Sequence, residues 1–263
     1  KLTALVIIFG LSAIHIRGLG PGRRVQNTLT ALTLTALLLL IVLGFTVGAG
    51  SAEHLRRTGA SVNPMSWLLA LVPVMFTYSG WNAAVYVAEE VREPQRNVPR
   101  ALALGTACVV ILYLLLNVLY LYALPPARMA GVIRSGDAAA EALFGSRAAL
   151  LLTPMLLVSL AASISAMILA GPRVYFAMAR DGLFLQSAAR VHPRYRTPAV
   201  AILAQAVWSG LLVLSGTFEQ LLIYTGFAVI LFAGVAVAAL FVLRRQAASM
   251  PTWGYPVAPA VFV

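Results

Sequence analysis

The chain has 263 residues, of which 61% are hydrophobic and 10% charged, whereas a soluble domain carries about 25% charged residues. Its net charge of +11 would suit nucleic acid, but the basic residues fall in short connections between apolar runs, the pattern of membrane loops, so no nucleic-acid partner is expected. A buried soluble core does not supply this many long charge-free runs, and the single Cys108 allows neither an internal disulfide nor metal-ligand spacing.

No Asp, Glu, Lys or Arg occurs in 2–16, 25–52, 58–88, 101–127, 148–172, 197–218, 220–243 or 246–263. A membrane-spanning helix needs roughly 20 apolar residues, and the six interior windows are long enough. The predicted spans are 2–16, 28–48, 65–88, 101–123, 148–180, 198–215 and 220–243, with a further one starting at 256. The chain thus reads as all-α, a polytopic protein with one transmembrane domain over 1–263. Position 1 is Lys and the last window stops early, so an interior piece of a longer protein is expected, with its N-terminal helices missing. Gly and Pro mark connections at Gly18–Gly22, Leu124–Pro126 and Ser215–Gly216. Between 136 and 145 a short surface helix is predicted, with an acidic first turn at Asp137 and a stop at Gly145.

Alternating the connections puts 13 arginines on one side (17, 23, 24, 92, 96, 100, 173, 180, 190, 194, 196, 244, 245) and 5 on the other (56, 57, 128, 134, 147). The richer side is expected to face the cytoplasm.

The span 65–88 contains Pro73 and then Phe76-Thr77-Tyr78-Ser79-Gly80-Trp81-Asn82. Gly80 permits backbone angles that strain other residues, and Thr77 and Ser79 can satisfy backbone groups released by a local unwinding. Released N–H groups attract a carboxylate and released carbonyls an ammonium, so a helix broken here suits a zwitterionic amino acid without any ionised side chain in the span. The alternative is an unbroken helix with one Gly and ordinary aromatic packing.

Phe76-x-Tyr78-x-Gly80-Trp81-Asn82, followed by Glu89-Glu90-Val91, Pro94, Arg96-Asn97 and Pro99-Arg100, resembles the sixth helix and following loop of the amino acid–polyamine–organocation transporters, in particular the L-type amino acid transporter branch and its bacterial relatives. Gly171-Pro172-Arg173-Val174-Tyr175-Phe176-Ala177-Met178-Ala179-Arg180-Asp181-Gly182 resembles the end of the eighth helix, His192-Pro193 and Thr197-Pro198 the approach to the ninth, and Val25-Gln26-Asn27 the fifth. The resemblance implies a five-plus-five inverted-repeat transporter fold with a discontinuous helix near 76–81, seen here from the fourth helix to the start of the eleventh. It implies a substrate site at Phe76, Thr77, Tyr78, Ser79, Gly80 and Trp81, with Phe76 as an aromatic gate. Ser165 stands where several relatives have a site-facing Asn, although a small residue there also eases helix packing. Tyr224 and Phe227 either touch substrate or pack.

Two departures follow. Many relatives carry a Lys on the fifth helix where this chain has Thr33. Thr33 either offers an oxygen to a coupling ion (H+ or Na+), together with Ser163, or bonds to its own helix. The family's first helix, which would bind the substrate carboxylate, lies outside this chain.

Glu89, Glu90 and Glu93 are predicted on the same side as Arg173 and Arg180, where one Glu–Arg pair closes a cytoplasmic gate. The alternative is a solvated loop. His15, His54 and His192 show no nucleophile, metal or phosphate-loop context, and Asp181-Gly182 reads as a helix stop. The expectation is a non-enzymatic secondary transporter or exchanger of amino acids, multi-pass in a bacterial cytoplasmic membrane, using no cofactor. Its partners are lipid, an amino acid or amine, and a coupling ion. A polyamine or organic-cation carrier and a non-transporting sensor or assembly subunit are the alternatives.

Overall fold

The computed structural model describes residues 1–56, 63–132, 134–146, 150, 152–246 and 255–262, with every side chain among them except those of Val72, Met75, Phe76, Phe218, Glu219, Leu222, Gln246 and Phe262. Every regular element among the described residues is helical: α1 (Leu2–Ile16), α2 (Leu19–Thr46), α3 (Glu53–Arg56), α4 (Pro64–Thr77), α5 (Ala83–Tyr86), α6 (Pro94–Ala123), α7 (Pro126–Met129), α8 (Ser135–Phe144), α9 (Leu152–Arg180), α10 (Ala199–Ser215), α11 (Phe218–Gln246) and α12 (Val257–Phe262). Four are long and apolar enough to cross a membrane: α2, α6, α9 and the Ile223–Arg245 part of α11. Apolar side chains such as Leu104, Ile111, Leu114, Phe232 and Val242 stand exposed along them. Solvent-facing apolar surface on this scale is the signature of lipid contact.

The connection read as Gly18–Gly22 is corrected. Only Arg17 and Gly18 turn the chain, and α2 begins at Leu19 and runs through Pro21 and Gly22. Proline is tolerated there because a first-turn residue has no helical acceptor for an N–H. Similarly, α6 starts at Pro94, so Pro99 lies inside the helix, and the basic loop before it is shorter than predicted. The surface helix is present as α8, with Asp137 in its first turn and Gly145 at its end.

The helices sort their ends. At one end the Thr197 hydroxyl donates to the Ile16 carbonyl at 2.8 Å, beside ion pairs between the 88–93 segment and α9. At the other end the Ala49 and Ser51 amides donate to the carbonyls of Leu143 and Tyr122, each at 2.9 Å, and Lys1 Nζ donates to the Leu214 carbonyl at 2.7 Å. This is the alternation drawn from the arginines. The first is called the basic end below.

Helix α9 is the hub, packing on α1, α2, α5 and α10. A second centre joins α2, α6 and α8 through Ile41, Leu112, Leu116, Leu119, Ala139 and Leu143. The spacing 112, 116, 119 puts one face of α6 inward while its remaining apolar residues face outward.

Candidate functional site

Helix α4 stops at Thr77, five residues of turn follow, and α5 resumes at Ala83. The cause is local. Pro73 has no N–H, which removes one helical hydrogen bond one turn before the end. The Thr77 hydroxyl donates back to the Pro73 carbonyl at 2.8 Å. Gly80 then takes φ +103°, a conformation that L side chains rarely adopt. The predicted discontinuity is therefore present.

The break forms one wall of a cavity of about 530 Å³. Thr77, Tyr78, Ser79, Gly80, Trp81 and Ala84 line it on one side, and the face of α6 from Ala101 to Tyr113 on the other. Among the described residues no Asp, Glu, His, Lys or Arg lines it. The Tyr113 hydroxyl donates to the Thr77 carbonyl over a long 3.5 Å, and its ring meets Tyr78 edge-on at 5.1 Å. Tyr113 was not singled out in the sequence. The recurrence of Leu102, Gly105-Thr106, Val109 and Tyr113 every three or four residues was the available signal, with small residues marking where α6 leaves room. The Phe76 side chain lies outside the described residues.

Ser165 does not line that cavity. It is fully buried on α9, and its hydroxyl pairs with His15 Nε2 at 3.0 Å, away from the cavity at the break. His15 is itself 3% exposed and fits only because Gly22 faces it: a Cβ on Gly22 would lie 2.5 Å from Nδ1. His15 thus ties α1, α2 and α9 together. Intramembrane polar pairs couple by about 0.6–1.7 kcal/mol. A double-mutant cycle of His15→Ala and Ser165→Ala, read by thermal unfolding in detergent, is expected to return a coupling in that range. Additive losses would refute the pairing.

The candidate coupling residues Thr33 and Ser163 share no hydrogen bond among the described residues. The Thr33 hydroxyl oxygen is buried with no hydrogen-bond partner among the described residues, so the predicted bond to its own helix is not made. Ser163 instead lines a separate cavity of about 260 Å³ with Gln205 and Ser209. Although α2 and α9 pack together, no hydrogen bond joins the two hydroxyls among the described residues. Tyr224 and Phe227 are each 70% exposed on α11, so neither packs in the interior nor lines the break.

The predicted charge constellation comes together at the basic end. Arg173 Nε meets Glu90 Oε1 at 3.1 Å, with side chains 9% and 36% exposed. Arg180 Nη2 meets Glu89 Oε1 at 2.9 Å in the open. The Arg180 guanidinium, by hydrogen bond first and charge second, holds the Glu89 carboxyl below its usual value against weak desolvation. Glu93 pairs instead with Arg96, at 3.9 Å. Both cross-chain pairs tie the segment just beyond the helix break to the end of α9.

The chain matches the family model for amino acid permease over residues 1–263. It is 28% identical over 250 residues to the serine/threonine exchanger SteT of Bacillus subtilis (strain 168), covering 94% of this chain and 57% of the relative. It is 30% identical over 257 residues to large neutral amino acids transporter small subunit 2 of Homo sapiens, covering 95% and 48%. It is 29% identical over 249 residues to b(0,+)-type amino acid transporter 1 of Oryctolagus cuniculus, covering 92% and 49%. The chain spans about half the length of these curated relatives. With the match running its whole length, the chain belongs to the amino acid permease family.

Proposed function

We propose that the protein moves neutral amino acids across a membrane as a secondary transporter or exchanger, by alternating access around the break between α4 and α5. One observation carries this: a broken helix opening backbone onto a cavity of about 530 Å³. Such a break offers carbonyls to an ammonium and amides to a carboxylate, and a half-helix end adds its dipole. The names of the relatives, an exchanger of serine and threonine and a transporter of large neutral amino acids, support the substrate class. A polyamine or organic cation is disfavoured because a site for amines alone would call for an intramembrane acid, and no Asp or Glu among the described residues lines this cavity.

In this reading residues 77–81 and Tyr113 contact substrate. Phe76 covers it, and Glu89 and Glu90 with Arg173 and Arg180 form the gate. The basic end faces the cytoplasm, by the arginine excess, and the membrane is a bacterial cytoplasmic one. Thr33, whose hydroxyl has no partner among the described residues, is the residue to examine for H+ or Na+ coupling. Uptake by the full-length protein in proteoliposomes, with a panel of labelled amino acids and amines and with pH and sodium varied, tests the reading. Saturable uptake of neutral amino acids is expected, and no saturable uptake of any of them would defeat it.

A further inference from the structure

We propose that a second cavity, at the basic end, is an entry-side binding site for a zwitterionic amino acid, held between Arg23 and Glu90. The proposal rests on the transport reading above and adds to it a site distinct from the helix break. The cavity holds about 390 Å³. Its walls are the first turns of α2 (Leu19, Gly20, Arg23), the segment after the break (Val87, Glu90, Val91), and Leu169 of α9. Two residues of opposite charge therefore line a space otherwise bounded by apolar groups and one glycine.

The charges are not spent on each other. Arg23 makes no ion pair among the described residues, whereas Glu90 is paired, through Oε1, with Arg173. Oε2 of Glu90 has no partner among the described residues. A simple cation drawn to Oε2 of Glu90 would be repelled by Arg23 and Arg173, and a simple anion drawn to Arg23 would leave Oε2 without a partner. A molecule carrying both charges satisfies both, with its carboxylate on Arg23 and its ammonium on Glu90, and the apolar walls accept an uncharged side chain. Charge complementarity thus commits the cavity to an amino acid.

Position gives the site a consequence. Glu90 belongs to the pair that ties the post-break segment to α9. An ammonium arriving at Glu90 competes with Arg173 for the same carboxylate, so filling the cavity weakens that tie. Arrival of substrate at the basic end would then favour opening of the path to the break, a coupling of two sites through one shared acid.

The test uses full-length protein in proteoliposomes, with L-threonine and L-leucine as probes and half-saturation concentrations measured separately from each face of the membrane. A charge-assisted hydrogen bond is worth enough that Arg23→Gln should raise the basic-end value about tenfold, with less than about a twofold change from the opposite face. Arg24→Gln removes the same charge from outside the cavity and should alter neither. Leu169→Trp, which fills the cavity, should reproduce the one-sided effect. An equal change from both faces in Arg23→Gln, or a matching effect from Arg24→Gln, overturns the proposal. So does an Arg23→Gln that leaves the basic-end value unchanged, whether or not Leu169→Trp folds. These outcomes leave the transport reading standing, whereas absence of saturable wild-type uptake removes both.

Discussion

Glu90→Gln is expected to shift the protein toward the state open at the basic end, and to do so far more than Glu89→Gln. The two acids are neighbours in sequence and each pairs with an arginine of α9, but their surroundings differ. Arg173 is 9% exposed and Arg180 52%. Removing Glu90 leaves a buried guanidinium without its counter-ion, and one of its nitrogens, Nη1, already lacks a partner among the described residues. Breaking a fully buried pair costs about 3–5 kcal/mol. Glu90 is 36% exposed, so water reaches the vacated place and about 1–3 kcal/mol remains, roughly a 5- to 150-fold shift in the gate equilibrium. The surface pair is screened by salt and contributes little.

A reporter thiol, Ala84→Cys in a Cys108→Ser background, sits on the cavity wall and reads that equilibrium. Its labelling from the basic-end side should speed up in Glu90→Gln. An unchanged rate there would mean that the pair is not a gate. Glu89→Gln should change the rate only slightly, and only at low ionic strength. Because the folded Glu89 carboxyl titrates below its usual value, its pair persists at and above the usual carboxylate range. It is lost only as pH falls through that depressed value, so the contribution of Glu89 should be flat between about pH 5 and 8.

What the sequence revealed and what it hid have a common physical cause. Four of the predicted spans and the alternation of the ends were legible because charge-free length and arginine placement are one-dimensional signals, and both appear in α2, α6, α9, α11 and the sorted ends. The break was legible because Gly80 follows Pro73 and a small-residue cluster within one apolar run. The two Glu–Arg pairs were foreseeable as sidedness, but nothing in the sequence said which pair would be buried. The pairing of Ser165 with His15 was hidden because the two lie 150 residues apart, and a contact between helices leaves no local pattern. The start of α2 was misread for the opposite reason. Gly20-Pro21-Gly22 has loop composition, yet a first turn tolerates proline and the His15 ring requires a glycine at position 22.

Gly80→Ala is expected to lower transport roughly 10- to 100-fold while leaving membrane insertion intact. The argument separates backbone from bulk. A Cβ at position 80 would meet no heavy atom within 4 Å, so no clash opposes the substitution. What opposes it is φ, which at +103° lies where L residues carry strain of order 1–3 kcal/mol. The chain can relieve that strain only by rewinding the turn, and rewinding returns the carbonyls and amides of the break to helical hydrogen bonds. A site that works through exposed backbone then loses its ligands without losing a side chain. Gly105→Ala is the matched control. Gly105 lines the same cavity, also has open space around its Cβ, and sits in the regular α6, where Ala is if anything favoured over Gly. Initial rates in proteoliposomes, normalised to inserted protein, should fall sharply for Gly80→Ala and little for Gly105→Ala. Equal losses would mean that the cavity is sensitive to one added methyl group anywhere. Equal retention would mean that the turn is not where substrate binds, because a break whose geometry can be altered at no cost to transport is a bend in a helix and nothing more.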